Sequence, residues 1–279
     1  MPCFVNQALR ALPAVDSSLH ETILRETLKV MSDIDFTKSP PEMARVIFDI
    51  IESHAGPVDL YEEAKKNSNQ YILAMYDELK EMAENSDDPF RAAARLAVAG
   101  NIIDFGAKHD FSDEAIHEEL DKVLHAEFAE DATCELRSEI ESADTILYIG
   151  DNAGEIVFDK LFISYLPAEK ITYAVRGTPI INDALMEDAE TAGLTKLVKV
   201  ISNGAGIPGT VLAVCSDEFR QVFHKADLVI SKGQGNYETL NDSDKNIFFL
   251  LKIKCDIVAR DLGHKVGDFV IRKSSSNAG

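Results

Sequence analysis

Asp151 and Asn152 stand side by side directly after the apolar run Thr145–Ile149, in the stretch DTILYIGDNAGEIVFD. A carboxylate and an amide carbonyl are hard oxygen donors, the kind that Mg²⁺, Mn²⁺ and similar ions prefer. The same pair also suits an Asx turn or a helix N-cap. Gly154 lets backbone come close to a ligand, and Glu155 is either a contact to substrate or a capping-box partner. After the next apolar run, RGTPIINDA carries Asp183, the natural third ligand if the two strands are neighbours and otherwise a cap. Lys232 ends a fourth apolar run in SKGQGNYE, where a lysine followed by glycines can meet a phosphoryl oxygen as a point charge. Asn203, in SNGAG, and Gly235 lie in further strand-end loops expected to line the same pocket.

Other chemistries lack their signatures. Gly-Gln-Gly-Asn is not a Walker loop, and no strand-end loop reads Gly-x-Gly-x-x-Gly, which counts against a dinucleotide site or a Rossmann-type methyltransferase. There is no Gly-x-Ser-x-Gly elbow, and the seven histidines form no HExxH. With 28 Lys plus Arg against 48 Asp plus Glu, the net charge of −20 repels a phosphate backbone and excludes non-specific nucleic-acid binding. A small anionic substrate remains compatible, because a local cation outweighs a distant field. Four cysteines without paired spacing give neither a disulfide framework nor a zinc knuckle. With no signal-like or membrane-length apolar segment, the expectation is a soluble cytoplasmic protein with no membrane partner.

Two textures position these residues. To about Ser142, apolar spacings of three and four predict helices at 18–31, 41–53, 60–84, 89–99 and 113–128, with Asp88 and Pro89 as N-cap and first helical residue. Beyond it, short β-rich runs at 145–149, 171–175, 197–201, 228–231, 247–252 and 269–271 alternate with helices near 153–165, 181–192, 217–224 and 237. That alternation predicts an α/β fold with a mostly parallel sheet over residues 143–279, and the helical spacing before it an all-α domain over 1–142.

The ordered series GDNAGEIVFD, RGTPIINDA, SNGAGIPGT, DLVISKGQGNYETL and FFLLKIKCDIVARDLG, with AGNIIDFGA upstream, resembles the damage-control phosphatase family, long known as a domain of unknown function, in its archaeal and bacterial branch. The resemblance implies a metal-dependent phosphatase with a helical domain packed on a Rossmann-like α/β domain, in which Asp151, Asn152 and Asp183 hold Mn²⁺, Ni²⁺, Co²⁺ or Mg²⁺ and Lys232 faces the phosphate. Substrates implied are small phosphorylated metabolites: sugar phosphates, damaged nucleotides or cofactor intermediates. Asn101 and Asp104 become the polar candidates of the helical half to face the substrate, or else a pair that ties helices together. Asp151 is a possible nucleophile, although the absence of an Asp-x-Asp motif favours water. One departure stands out: that branch carries a CxxC pair near its start, and here only Cys3 is present. The rival reading is a non-catalytic sensor whose loops bind a nucleotide or phosphometabolite.

Overall fold

The computed structural model describes residues 2–100 and 113–274. Asn101 and Asp104 lie outside the described residues. Among the described residues, eight α-helices precede the main strands: α1 (Pro2–Ala11), α2 (His20–Ser32), α3 (Pro40–Ala55), α4 (Glu62–Ala74), α5 (Tyr76–Glu84), α6 (Pro89–Ala99), α7 (Asp113–His125) and α8 (Thr133–Ser142). Five follow: α9 (Glu155–Ile163), α10 (Met186–Thr191), α11 (Asp217–Lys225), α12 (Gln234–Leu240) and α13 (Asp256–Leu262). The strands are β1 (Glu130–Asp131), β2 (Ile146–Ile149), β3 (Ile171–Val175), β4 (Lys199–Ser202), β5 (Leu228–Lys232), β6 (Ile247–Lys252) and β7 (Phe269–Lys273).

The sheet order is β1-β7-β6-β5-β2-β3-β4, parallel except where β7 runs against β6. From β2 the chain winds outward through β3 to β4, then crosses back to β5 on the other side of β2. The carboxyl ends of β2 and β5 therefore flank the point where winding reverses, the crevice in which open α/β sheets bind ligands.

Burial on both faces explains the unbroken apolar runs of these strands. Ile146 and Tyr148 pack on one side with α4 to α10, while Leu147 and Ile149 face α11, α12 and α13 on the other. A single apolar cluster runs from Ile72 through Leu136 to Ile271 and so crosses the division expected at Ser142. Helices α4 to α8 are thus a layer on the sheet. A separate core joins α1, α2 and α3, with Ile180 from the α/β half inserted into it.

Local signals account for the helix starts. Ser39 and Glu42 form a capping box beneath Pro40, and Asp88 accepts from the Arg91 amide at 3.1 Å with Pro89 at the first position. Among the described residues, no helix is long and apolar enough to cross a membrane.

Candidate metal and phosphate site

Backbone pairing builds the site's corner. β2 ends at Ile149, and Asn152 then forms an isolated antiparallel bridge with Asp183. The Ala184 amide donates to Asp151 O at 2.8 Å and the Ala153 amide to Asn182 O at 2.9 Å. These bonds bring the Asp151–Asn152 pair against Asp183, although 31 positions separate Asn152 from Asp183 in the chain. Asp183 is therefore not an N-cap; α10 begins only after Leu185. The turn before it passes through Ile181 at φ +45°, a left-handed conformation that costs a β-branched residue roughly 1–2 kcal/mol. Ile180 and Ile181 pack on the α1–α3 core, which holds that turn in place.

Gly233 adopts φ +80°, and a Cβ there would lie 2.0 Å from Asp151 Oδ2. The loop after β5 thus wraps the Asp151 carboxylate as only glycine allows. Gly235 serves a second close approach, since its Cβ would lie 2.3 Å from Pro208 O. Its part in the site is to dock the loops after β4 and β5 on each other.

Arg176, at the end of β3, organises the corner from below. Its Nε donates to Asp183 Oδ2 at 2.6 Å, and Nη2 stands 3.7 Å from Asp151 Oδ1 and 3.1 Å from Asn236 Oδ1. Asn236 in turn donates to the carbonyls of Gly150 and Lys232, at 3.1 and 2.7 Å, tying the ends of β2 and β5 together.

The electrostatics of the corner are unbalanced. Burial, then the neighbouring charge of Asp183, push the Asp151 carboxyl up to about 6 against the pull of Arg176 and Lys254. Burial also raises Asp183, with Arg176 opposing. Asn152 donates through Nδ2 to Asp151 Oδ2 at 3.0 Å and to Glu155 Oε2 at 3.3 Å, which turns its Oδ1 away from them. Among the described residues, no hydrogen bond reaches Oδ1 of Asn152 or Oδ1 of Asp183. No cluster of three or more His, Cys, Asp and Glu side chains suited to a metal occurs among the described residues, so the donor set is two carboxylates and one amide. Two buried acids that repel each other, beside an unclaimed amide oxygen, fit a hard divalent ion that keeps several waters.

Lys232 sits differently from the expectation. Its ammonium is fully enclosed, 2.5 Å from Glu155 Oε1 and 2.7 Å from Asp159 Oδ1. Burial acts to lower its proton affinity, but the two carboxylates outweigh it and hold it well above the ordinary lysine value. Asp159 also accepts from Tyr148 at 2.8 Å and Tyr173 at 2.7 Å. In this arrangement Lys232 neutralises an internal acid pair instead of facing an open pocket. Glu155, shared between Lys232 and Asn152, is raised to about 7, chiefly by burial. It does not close a capping box, for Gly154 caps α9 without a side-chain bond. Asn203 is buried, its Oδ1 accepting from the Ala205 amide at 2.9 Å while Nδ2 has no partner among the described residues.

Three residues of the site were not singled out in the sequence. Arg176 and Lys254 follow apolar strand runs as Lys232 does, and the reading that picked out Lys232 could have been extended to both. Lys254 is exposed, and its charge acts on both Asp151 and Asp183. Glu238 is the third: burial and then the Asp151 charge raise it to about 7, while Gln234 donates to it at 3.1 Å.

Known proteins are similar to this chain over nearly its whole length. A damage-control phosphatase of Pyrococcus horikoshii is 36% identical, over 98% of this chain and 96% of its own. A damage-control phosphatase of Archaeoglobus fulgidus is 35% identical, over 92% and 91%, and an uncharacterized protein of Methanocaldococcus jannaschii is 34% identical, over 97% and 93%. A crystal structure of a DUF89 family protein from Pyrococcus horikoshii superposes with a TM-score of 0.89 at 36% identity, covering 98% of this chain and 97% of that one. The family description "Damage-control phosphatase ARMT1-like domain" matches residues 1–270. The chain belongs to that family.

Proposed function

We propose that this protein is a phosphatase of metabolite damage control that hydrolyses small phosphorylated metabolites with a divalent ion held by Asp151, Asn152 and Asp183. Membership of the family supports the phosphatase reading, and two relatives bear that name. The observation that carries the finer reading is the Asn152–Asp183 bridge, which sets two mutually repelling carboxylates and a free amide oxygen at the sheet's switch point. When bound there, Mn²⁺, Ni²⁺, Co²⁺ or Mg²⁺ supplies Lewis acidity toward a phosphoryl oxygen.

The chain's own residues do the rest. Arg176 locks Asp183 in one orientation and screens part of the charge on Asp151. Lys254, exposed and within electrostatic reach of both acids, draws in the anionic ester and neutralises an oxygen of its phosphoryl group. The unpartnered Nδ2 of Asn203 is a donor for a substrate oxygen. Lys232, Glu155 and Asp159 keep the floor of the crevice rigid. Water adds to phosphorus and the alcohol leaves, so one ester and one water give one alcohol and inorganic phosphate.

A screen of phosphate esters against the four metals, read as phosphate release, tests the reading. Turnover that depends on metal and vanishes in Asp183→Ala supports it; binding of metal and ester without release makes the protein a sensor. Stereochemistry at an isotopically chiral phosphoryl group separates the two attack routes, since direct attack by water inverts phosphorus once while a nucleophilic Asp151 gives two displacements and net retention.

A further inference from the structure

The helical layer reaches the corner through α4, where a buried amide side chain stands between the corner's two loops. Asn69 of α4 is 1% exposed, and both ends of its amide are used on different segments of the α/β half. Its Oδ1 accepts from the Gly154 amide at 2.7 Å, two residues beyond Asn152. Its Nδ2 donates to Asp188 Oδ1 at 2.7 Å, five residues beyond Asp183. Asp188 is anchored in turn: its Oδ2 accepts from the Leu185 amide at 2.8 Å, and Lys65, one helical turn before Asn69, lies 3.4 Å away. Lys65 is itself 1% exposed and lies 2.7 Å from Asp59 Oδ2. Gly154, at φ +76°, lets α4 come so close that a Cβ would touch Ser68 Cβ at 3.0 Å.

We propose that Asn69 is a positioning residue that clamps the two ligand-bearing loops, the one after β2 and the one entering α10, at the separation a divalent ion needs. The inference rests on the metal reading above. A packing contact alone would not need a buried amide satisfied at both ends by segments that each follow a ligand. Left unmade, either bond would strand a buried polar group, so the two loops are energetically tied to one another through α4. Groups outside the coordination sphere that orient ligands commonly change metal affinity 10- to 100-fold, on the order expected here.

Four proteins test it: the wild type, Asn69→Ala, Asn69→Asp, and Asn69→Asp combined with Asp188→Asn. The double variant exchanges acid and amide, so an acceptor again faces Gly154 and a donor again joins the pair. Mn²⁺ titration calorimetry should show binding weakened about 10- to 100-fold in Asn69→Ala and Asn69→Asp and restored to within about threefold in the double variant. KM for p-nitrophenyl phosphate at saturating Mn²⁺ should stay within about twofold throughout, because the substrate contacts are unchanged. A folded Asn69→Ala with wild-type Mn²⁺ affinity, or a double variant no better than Asn69→Asp, overturns the clamp. Hydrogen exchange supplies a readout that needs no metal: Asn69→Ala should speed exchange in both 150–156 and 183–188, and unchanged protection in either segment overturns it. If the wild type binds no Mn²⁺, the metal reading fails, while exchange still decides whether Asn69 couples the loops.

Discussion

Two clusters at the carboxyl edge of the sheet hold the same ingredients, two acids and one cation, and differ in what is left over. Around Lys232, protein groups fill the valences: Asp159 takes three hydrogen bonds, and Lys232, Asp159, Tyr148 and Tyr173 are all fully buried. Around Arg176, the guanidinium grips one oxygen of Asp183, stands 3.7 Å from Asp151 and leaves the Asn152 carbonyl uncommitted, beside the exposed Lys254. The first cluster is complete without a ligand. The second leaves Oδ1 of Asn152 and Oδ1 of Asp183 unclaimed among the described residues, and it is where we propose that a cation and its anionic ester bind.

That contrast predicts opposite consequences of mutation. Asp151→Asn or Asp183→Asn should lower kcat/KM with p-nitrophenyl phosphate and Mn²⁺ by about 10³-fold or more, with the melting temperature held within a few degrees because the amide keeps an oxygen for Arg176. Full activity in either variant would end the distinction. Lys232→Ala should do the reverse. Removing one partner of a buried ion pair costs about 3–5 kcal/mol, read as a lower urea midpoint, while the folded fraction retains measurable turnover. An unchanged midpoint with abolished turnover would put Lys232 back on the phosphate. Lys254→Ala should cut kcat/KM by about 10²-fold with no change in urea midpoint, which separates an exposed cation from an enclosed one.

A control lies far from both clusters. Burial acts to raise Asp131, yet hydrogen bonds from Thr133, Arg91 and Arg95 hold it down to about 2. A carboxylate lowered by folding adds stability above its unfolded value near 3.8, and that stability is lost as pH falls toward 2. Asp131→Asn should therefore flatten the acid limb of the stability curve between about pH 4 and 2. The smallest effect belongs to Tyr173→Phe, about 1 kcal/mol in urea with activity intact, since one bond to Asp159 is lost among three.

Much of this was legible in the sequence, and the exceptions have physical causes. The spans of β3 and β6 are those of their largely apolar runs, because strands buried on both faces favour apolar side chains throughout. The expected helix over 60–84 divides at Met75, where apolar spacing continues although the backbone turns. β1 has two residues and exists through its pairing with β7, a partner 140 positions along the chain. The helix expected from Ile181 starts at Met186, since the preceding residues are used for the bridge with Asn152. The meeting of Asp151 and Asn152 with Asp183 could be anticipated because all three lie in loops that follow neighbouring strands. The enclosure of Lys232 could not, for its partners Glu155 and Asp159 are set by the packing of α9 on the sheet.

Diffraction from a crystal soaked in Mn²⁺, recorded for anomalous signal, tests the central claim most directly. The account predicts one strong peak within coordination distance of Asp151, Asn152 and Asp183. A peak elsewhere, or none at this corner in a crystal whose protein still releases phosphate, would contradict it.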